Sequence, residues 1–172
     1  MKSIVILYSE IAAYAINCFN LLSEKHNVTL THWPINPEAP FQIKLNPNIK
    51  AYSRDSLSSS QIHSLLIDIN PDLVLVTGWI DKGYLKALNN QHGIKKRVLM
   101  MDTAWKGSVK QKVALLGLKP LIKGLFSHAF VSGKPQSLYA QKLGINPKAI
   151  HQGYYSADVD YFSEVYNQKQ KV

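Results

Sequence analysis

Cysteine is all but missing. Cys18 stands alone, so the chain can close no internal disulfide and suits a reducing compartment. Long apolar runs are missing too: stretches such as residues 4–8 and 73–76 fall far short of the roughly 20 residues a membrane-spanning helix needs. Met1-Lys2 leads straight into a strand-like run with no small-residue cleavage site behind it, so no secretory leader is expected. The six histidines, His26, His32, His63, His92, His128 and His151, are scattered, and with one cysteine they offer no metal-ligand spacing. A Gly-x-Ser-x-Gly elbow is absent, which removes the usual hydrolase nucleophile. The segment Tyr8-Ser9-Glu10-Ile11-Ala12 has no glycine, so backbone cannot approach a pyrophosphate there as a dinucleotide site requires. No Walker-type sequence occurs either.

Acidic residues are scarce in one half only. Residues 1–86 balance seven Lys/Arg against seven Asp/Glu, whereas residues 87–172 hold thirteen against four. The whole net charge of +9 therefore sits in the second half, a field that attracts phosphates, an anionic lipid surface or nucleic acid without choosing among them.

What is present is enough for one globular domain. The chain has 172 residues, 46% apolar and 18% charged, a balance that excludes wholesale disorder. Residues 1–166 read as the domain and 167–172 as a polar tail. Ser3-Ile-Val-Ile-Leu-Tyr8 is β-branched with no polar alternation, the mark of a strand buried on both faces. Residues 10–25 repeat apolar positions at helical spacing, residues 27–32 form a second strand, and a proline-rich loop leads to a third near residues 49–52. Ser58-Ser59-Ser60 offers N-cap hydroxyls for a helix that Asn70-Pro71 ends. Strands are expected at 72–77, 97–101, 129–132 and 149–151, with helices at 81–91, 105–118 and 134–143 between them. Buried strands alternating with helices need crossover connections, so the expected fold is α/β: a Rossmann-like, doubly wound, largely parallel sheet with helices on both faces.

In such a sheet ligands bind beyond the carboxyl ends of the strands. Those ends carry Ser9, Glu10, Thr77, Gly78, Trp79, Asp102, Thr103, Trp105, Lys106 and Lys134. Tryptophan beside carboxylate and hydroxyl fits a sugar platform, the ring stacking on a pyranose while the polar groups bond its hydroxyls. The alternative is that Trp79 and Trp105 pack at loop edges. Ser132-Gly133-Lys134 offers backbone N–H groups and an ammonium to an anion at a helix start, or is an ordinary turn. Along residues 105–119 the stripe Trp105, Val109, Val113 and Leu116 is bordered by Lys106, Lys110, Lys112 and Lys119. It reads either as a surface for anionic lipid or a phosphate-bearing acceptor, or as a core-facing helix with solvated lysines.

Ala129-Phe-Val-Ser-Gly, Gln136-Ser-Leu-Tyr-Ala-Gln-Lys-Leu-Gly-Ile145, Lys148-Ala-Ile and Asp158-Val-Asp-Tyr-Phe162 together resemble the N-terminal domain of GT-B fold glycosyltransferases of the group 1 (family 4) type. The order of elements matches over nearly the whole chain. The sequence departs from the family at Ser9-Glu10, where a glycine-rich turn is common, at Met101-Asp102, where His-Asp is frequent, and at Tyr155-Ser156-Ala157-Asp158, where Asn-Gly usually stands.

The resemblance implies the acceptor-binding half of a retaining glycosyltransferase that moves a sugar from a nucleotide-sugar to a glycan or lipid-linked acceptor in polysaccharide synthesis. It implies a cytoplasmic enzyme, peripheral on the inner face of the membrane, with no cofactor or metal in this domain. The nucleotide-sugar-binding C-terminal domain, with its Glu-x7-Glu motif, does not follow Phe162, so a chain inactive by itself is expected. Asp102 is the candidate catalytic contact. Ser9, Glu10, Thr77, Gly78, Trp79, Thr103 and Trp105 are expected on the acceptor side, and Lys106, Lys110, Lys112, Lys119 and Lys134 as contacts to anions or membrane. Two other classes stay open: a free-standing α/β ligand-binding module and, last, a basic nucleic-acid binder, which lacks the aromatics interleaved with lysines that single strands favour.

Overall fold

A computed structural model describes residues 1–36, 44–89, 91 and 93–153 together with positions 159, 163, 166 and 167. The chain runs β1 (Ser3–Tyr8), α1 (Ala13–Ser23), β2 (Asn27–His32), β3 (Lys50–Ser53), α2 (Ser59–Ile69), β4 (Leu73–Thr77), α3 (Lys82–Leu88), β5 (Lys96–Met101), α4 (Val109–Leu125), β6 (His128–Val131), α5 (Lys134–Lys142) and β7 (Ile150–Gln152). The seven strands form one sheet in the order β3-β2-β1-β4-β5-β6-β7, and every neighbouring pair is parallel. The expected Rossmann-like α/β fold is the fold of this chain.

The winding divides the helices unequally. From β1 the chain steps outward to β2 and β3, then returns past β1 to β4 and steps the other way through β7. Right-handed crossovers send the connections of these two directions to opposite faces. Because successive strand side chains alternate between faces, two cores result. Val5, Leu7, Val74, Val76, Leu99 and Met101 pack with Ile62 and Leu66 of α2, Tyr84 and Leu88 of α3, Ile122 of α4 and Tyr139 of α5. Ile4, Ile6, Tyr8 and Met100 pack with Ala15, Ile16 and Phe19 of α1. Helices lie on both faces as expected: of the five helices α1 to α5, four pack on one face and α1 on the other.

Local chemistry sets the helix ends. The Ser58 hydroxyl accepts from the Gln61 N–H, and the Gln61 side chain accepts from the Ser58 N–H, a reciprocal cap that satisfies two orphan donors. Asn70, at φ 44°, closes α2 in the left-handed conformation, which asparagine tolerates better than most residues. Asp81 caps α3 through the Gly83 and Tyr84 N–H groups.

Two expectations are corrected. The first helix starts at Ala13, not Glu10, because Ser9 is bonded to β4 and the chain turns there before helical winding begins. The fourth starts at Val109 on a Ser108 cap and runs through Pro120 to Leu125, leaving Trp105 and Lys106 outside it. Gly107, at φ +69°, breaks the backbone just before the cap. Pro120 is accommodated at the cost of one N–H bond to the Leu116 carbonyl.

Candidate functional site

The chain reverses its winding between β1 and β4, so their carboxyl ends diverge into a crevice. There the Ser9 N–H donates to Thr77 Oγ1 at 2.7 Å, and the two hydroxyl oxygens lie 2.9 Å apart. Both residues are buried. Beyond Thr77 the chain turns through Gly78 at φ +60°, a value glycine adopts without strain. The Gly78 N–H bonds the Met100 carbonyl of β5 at 2.8 Å, which fixes the loop that carries Trp79 and Ile80.

A cavity of about 300 Å³ opens above these strand ends. Ser9, Glu10, Thr77, Gly78, Trp79, Asp102 and Thr103 all line it, together with Tyr8, Tyr14, Ile80, Met100 and Met101. Residues spread over almost a hundred positions of sequence thus meet in one place. Glu10, Asp102 and Thr103 are exposed, whereas Trp79 is half-buried and meets Tyr139 edge to face at 5.9 Å. Gln136 Nε2 donates to the Asp102 carbonyl at 2.9 Å, tying the Asp102 loop to the start of α5. The carboxylates of Glu10 and Asp102 and the hydroxyls of Ser9, Thr77 and Thr103 beside one indole supply acceptors, donors and an apolar plate, the set a polyhydroxylated ring requires.

Trp105 is not in that lining. It too meets Tyr139, with ring centroids 5.4 Å apart and the planes tilted by 45°, and Lys142 Nζ lies over its ring at 4.9 Å. Its N–H bonds the Pro135 carbonyl at 3.2 Å, and Gln111 pins the loop on either side of it through the Ala104 carbonyl and the Lys106 N–H, both at 2.8 Å. For Trp105 the loop-packing alternative describes the geometry, and Trp79 is the indole at the cavity. No motif separates the two in sequence; strand register does.

A second group was not visible in sequence. Asp81 Oδ2 accepts from Arg54 Nε at 2.8 Å and from Trp33 Nε1 at 2.7 Å, while Oδ1 accepts from the Gly83 and Tyr84 N–H groups. Arg54 also donates to the Leu57 carbonyl at 2.6 Å and lies over the Tyr84 ring, whose hydroxyl donates to the Tyr8 and Thr31 carbonyls at 3.2 Å. Burial pushes the Asp81 carboxyl up, but the hydrogen bonds from Arg54, Trp33 and Tyr84 outweigh it and hold it below the usual carboxylate range. Burial, with the Asp81 charge, pushes the Tyr84 phenol well above its ordinary value. This network props the carboxyl end of β1 from beneath the cavity; its members are split between three segments, so only the Asp81 helix start was legible.

The lysines stand apart from the cavity. Lys106, Lys110, Lys112, Lys119 and Lys134 are all exposed. On α4 the stripe that borders them points outward: Val109, Val113 and Leu116 are 75%, 61% and 80% exposed, while Ile122 and Leu125 face the core. The core-facing alternative for that stripe is therefore overturned. Among the described residues no helix is long and apolar enough to cross a membrane. The segments at Tyr155–Asp158 and Asp158–Phe162 lie outside the described residues except for Val159.

Neither a protein-family model nor a curated protein matches the chain. Solved structures do. A protein of Listeria monocytogenes assigned as a UDP-N-acetylglucosamine 2-epimerase superposes over 87% of this chain and 44% of its own, at 14% identity and a TM-score of 0.58. The UDP-N-acetylglucosamine 2-epimerase of Rickettsia bellii covers 99% of this chain and 48% of its own, at 14% identity and a TM-score of 0.55. The chain spans less than half the length of either. At that identity the likeness is one of fold, and what the chain shares with a stretch of both epimerases is the Rossmann-like α/β architecture.

Proposed function

We propose that this chain forms the acceptor side of a GT-B type, retaining glycosyltransferase, with a nucleotide-sugar donor held by a separate nucleotide-binding domain and a glycan or lipid-linked molecule as acceptor. One observation carries the reading: the seven residues Ser9, Glu10, Thr77, Gly78, Trp79, Asp102 and Thr103 converge on a single crevice at the switch point of the sheet. The structural likeness to two epimerases named for a nucleotide-sugar substrate supports the same direction. In this reading Trp79 stacks on a sugar ring, Glu10 and Thr103 bond its hydroxyls, and the Asp102 carboxylate accepts the hydrogen bond of the hydroxyl that attacks. The departing diphosphate would be neutralised by cations and helix dipoles of the donor domain, with no cofactor needed on this side.

The test is binding, since a half-site need not turn over. Indole fluorescence and ligand-observed NMR with a panel of mono- and oligosaccharides should report a saccharide that binds wild type. Trp79→Ala should weaken it roughly fivefold, in line with loss of one aromatic stacking contact of about 1 kcal/mol, whereas Trp105→Phe should leave it unchanged. Equal affinity for wild type and Trp79→Ala refutes the assignment.

The exposed stripe on α4 adds a place. Val109, Val113 and Leu116 stand in solvent beside Lys106, Lys110, Lys112 and Lys119, the arrangement of a helix that lies on an anionic surface. In this reading the protein is cytoplasmic and peripheral on the inner face of a membrane, and nucleic acid is not a partner. Co-sedimentation with anionic vesicles should fall sharply when the four lysines are replaced by glutamate. Unchanged partitioning removes the membrane from the reading.

A further inference from the structure

Trp33 touches both walls of the crevice. Its backbone N–H lies 3.2 Å from the carbonyls of Tyr8 and Ser9, on the wall that β1 delivers, and its indole N–H donates to Asp81 Oδ2 at 2.7 Å, on the wall that β4 delivers. The bond between Ser9 and Thr77 joins these walls at the strand ends. The bond between Trp33 and Asp81 joins them again, and neither of these two residues lines the cavity.

The loop that carries Trp79 has few other supports. It is fixed at one end by the Gly78 N–H on the Met100 carbonyl at 2.8 Å, and at the other by Asp81, whose Oδ1 accepts from the Gly83 and Tyr84 N–H groups at 2.7 and 3.0 Å. Between these ends Ile80 is 66% exposed and lends the loop little packing. The edge-to-face contact of Trp79 with Tyr139 restrains the ring but is worth only about 1 kcal/mol. Asp81, by contrast, is buried and receives N–H donors from Trp33, Arg54, Gly83 and Tyr84, and the helix behind it is rooted in the core through Tyr84, Leu85, Ala87 and Leu88.

We propose that Asp81 is a positioning residue of the crevice: through Trp33 and Arg54 it fixes the Trp79 loop against the wall that carries Ser9 and Glu10, and so sets the affinity for a ring that stacks on Trp79. The ligand in this proposal rests on the acceptor reading above; the placing of Trp79 rests on the geometry alone. A cap at position 81 is not sufficient. Asparagine is as good an N-cap as aspartate and would keep an oxygen for the Gly83 and Tyr84 N–H groups, but it would set an NH2 group against the N–H donors of Trp33 and Arg54.

The test separates placing from stability. The three tryptophans, incorporated as 5-fluorotryptophan in the full chain and assigned by single Trp→Phe variants, give one fluorine resonance each. Well below the unfolding temperature of each variant, Asp81→Asn should shift or broaden the Trp79 line and leave the Trp105 line in place. Trp33→Phe, which removes one donor, should move the Trp79 line less, and it decides alone should Asp81→Asn fail to fold. Of glucose, N-acetylglucosamine and maltose, those that wild type binds should bind Asp81→Asn up to about fivefold more weakly, the effect of losing the stacking contact altogether. In a Trp79→Ala background the same change should weaken binding no further, because Asp81 acts through Trp79.

A folded Asp81→Asn whose Trp79 line or affinity matches wild type overturns the proposal and leaves the acceptor reading standing; a lower denaturation midpoint by itself is what a purely structural carboxylate gives. An affinity loss as large in the Trp79→Ala background as in wild type overturns it too, since Asp81 then acts by another path. A wild type that binds none of the sugars counts against the acceptor reading, and the Trp79 line still decides the positioning role.

Discussion

Ser9 and Thr77 lock together the two strands between which the sheet reverses its winding, the Ser9 N–H meeting Thr77 Oγ1 at 2.7 Å in a buried contact. The bond holds open the crevice that its own backbone borders. Replacing Thr77 by valine keeps the shape but leaves the Ser9 N–H with no partner at that position. Chemical denaturation should show a loss of about 1–3 kcal/mol, and Thr77→Ser should recover most of it. A valine variant as stable as wild type would mean that the bond carries no net stability.

Arg54 and Asp81 form a largely buried ion pair. Arg54→Ala should cost about 2–3 kcal/mol, because a carboxylate stays in the interior without its cation. Arg54→Lys should rescue little, since an ammonium cannot serve Asp81 and the Leu57 carbonyl with a guanidinium's spacing. The pair also sets an acid limit. The Asp81 carboxyl is held below its usual value, so its contribution is present above the unfolded value of about 3.9 and is lost as pH falls through the folded one. Stability measured from pH 6 down to pH 2 should fall less steeply in Asp81→Asn than in wild type.

Gly83 makes a sign prediction. Alanine is the better helix former by about 1 kcal/mol, which argues for stabilisation. A Cβ at Gly83 would, however, meet the Arg54 guanidinium and lie 2.9 Å from Asp81 Oδ1. Gly83→Ala should therefore destabilise, by about 1–3 kcal/mol, and the penalty should shrink in an Arg54→Ala background, since the two changes act on one contact. Denaturation of the double-mutant cycle checks it: additive penalties count against the clash.

His128 provides a test nearer neutrality. Burial, then the charge of Lys96 and the neighbouring His151, lower its pKa. The neutral ring is the folded form, so the stability it contributes is full above the unfolded value of about 6.5 and is lost as pH drops below it through the folded value. Proton NMR of the ring should show titration below 6.5, and Lys96→Gln should move it partway back up, burial being the larger cause. An unmoved midpoint would mean that Lys96 does not reach the ring.

The acceptor candidates were legible because strand ends are: a β-branched run delivered to Ser9, another to Thr77-Gly78, a third to Asp102. The choice between the two tryptophans was not, because the path of each loop beyond its strand decides whether the indole lines the crevice, as Trp79 does, or packs on Tyr139 outside its lining, as Trp105 does. The stripe on α4 was legible as a stripe. Its direction was not, because periodicity gives a face without saying what that face meets.

Hydrophobic patterning, turn residues and caps were enough, in the one-dimensional chain, to determine an alternation of buried strands and helices, since each depends on neighbours a few positions away. Only the folded chain decided that Trp33, Arg54, Asp81 and Tyr84 close one network, that Thr77 answers Ser9 across 68 positions, and that α1 packs on the face opposite α2 to α5. Those outcomes depend on the winding order of the sheet, and the free energy that selects it lies in contacts between segments far apart in sequence.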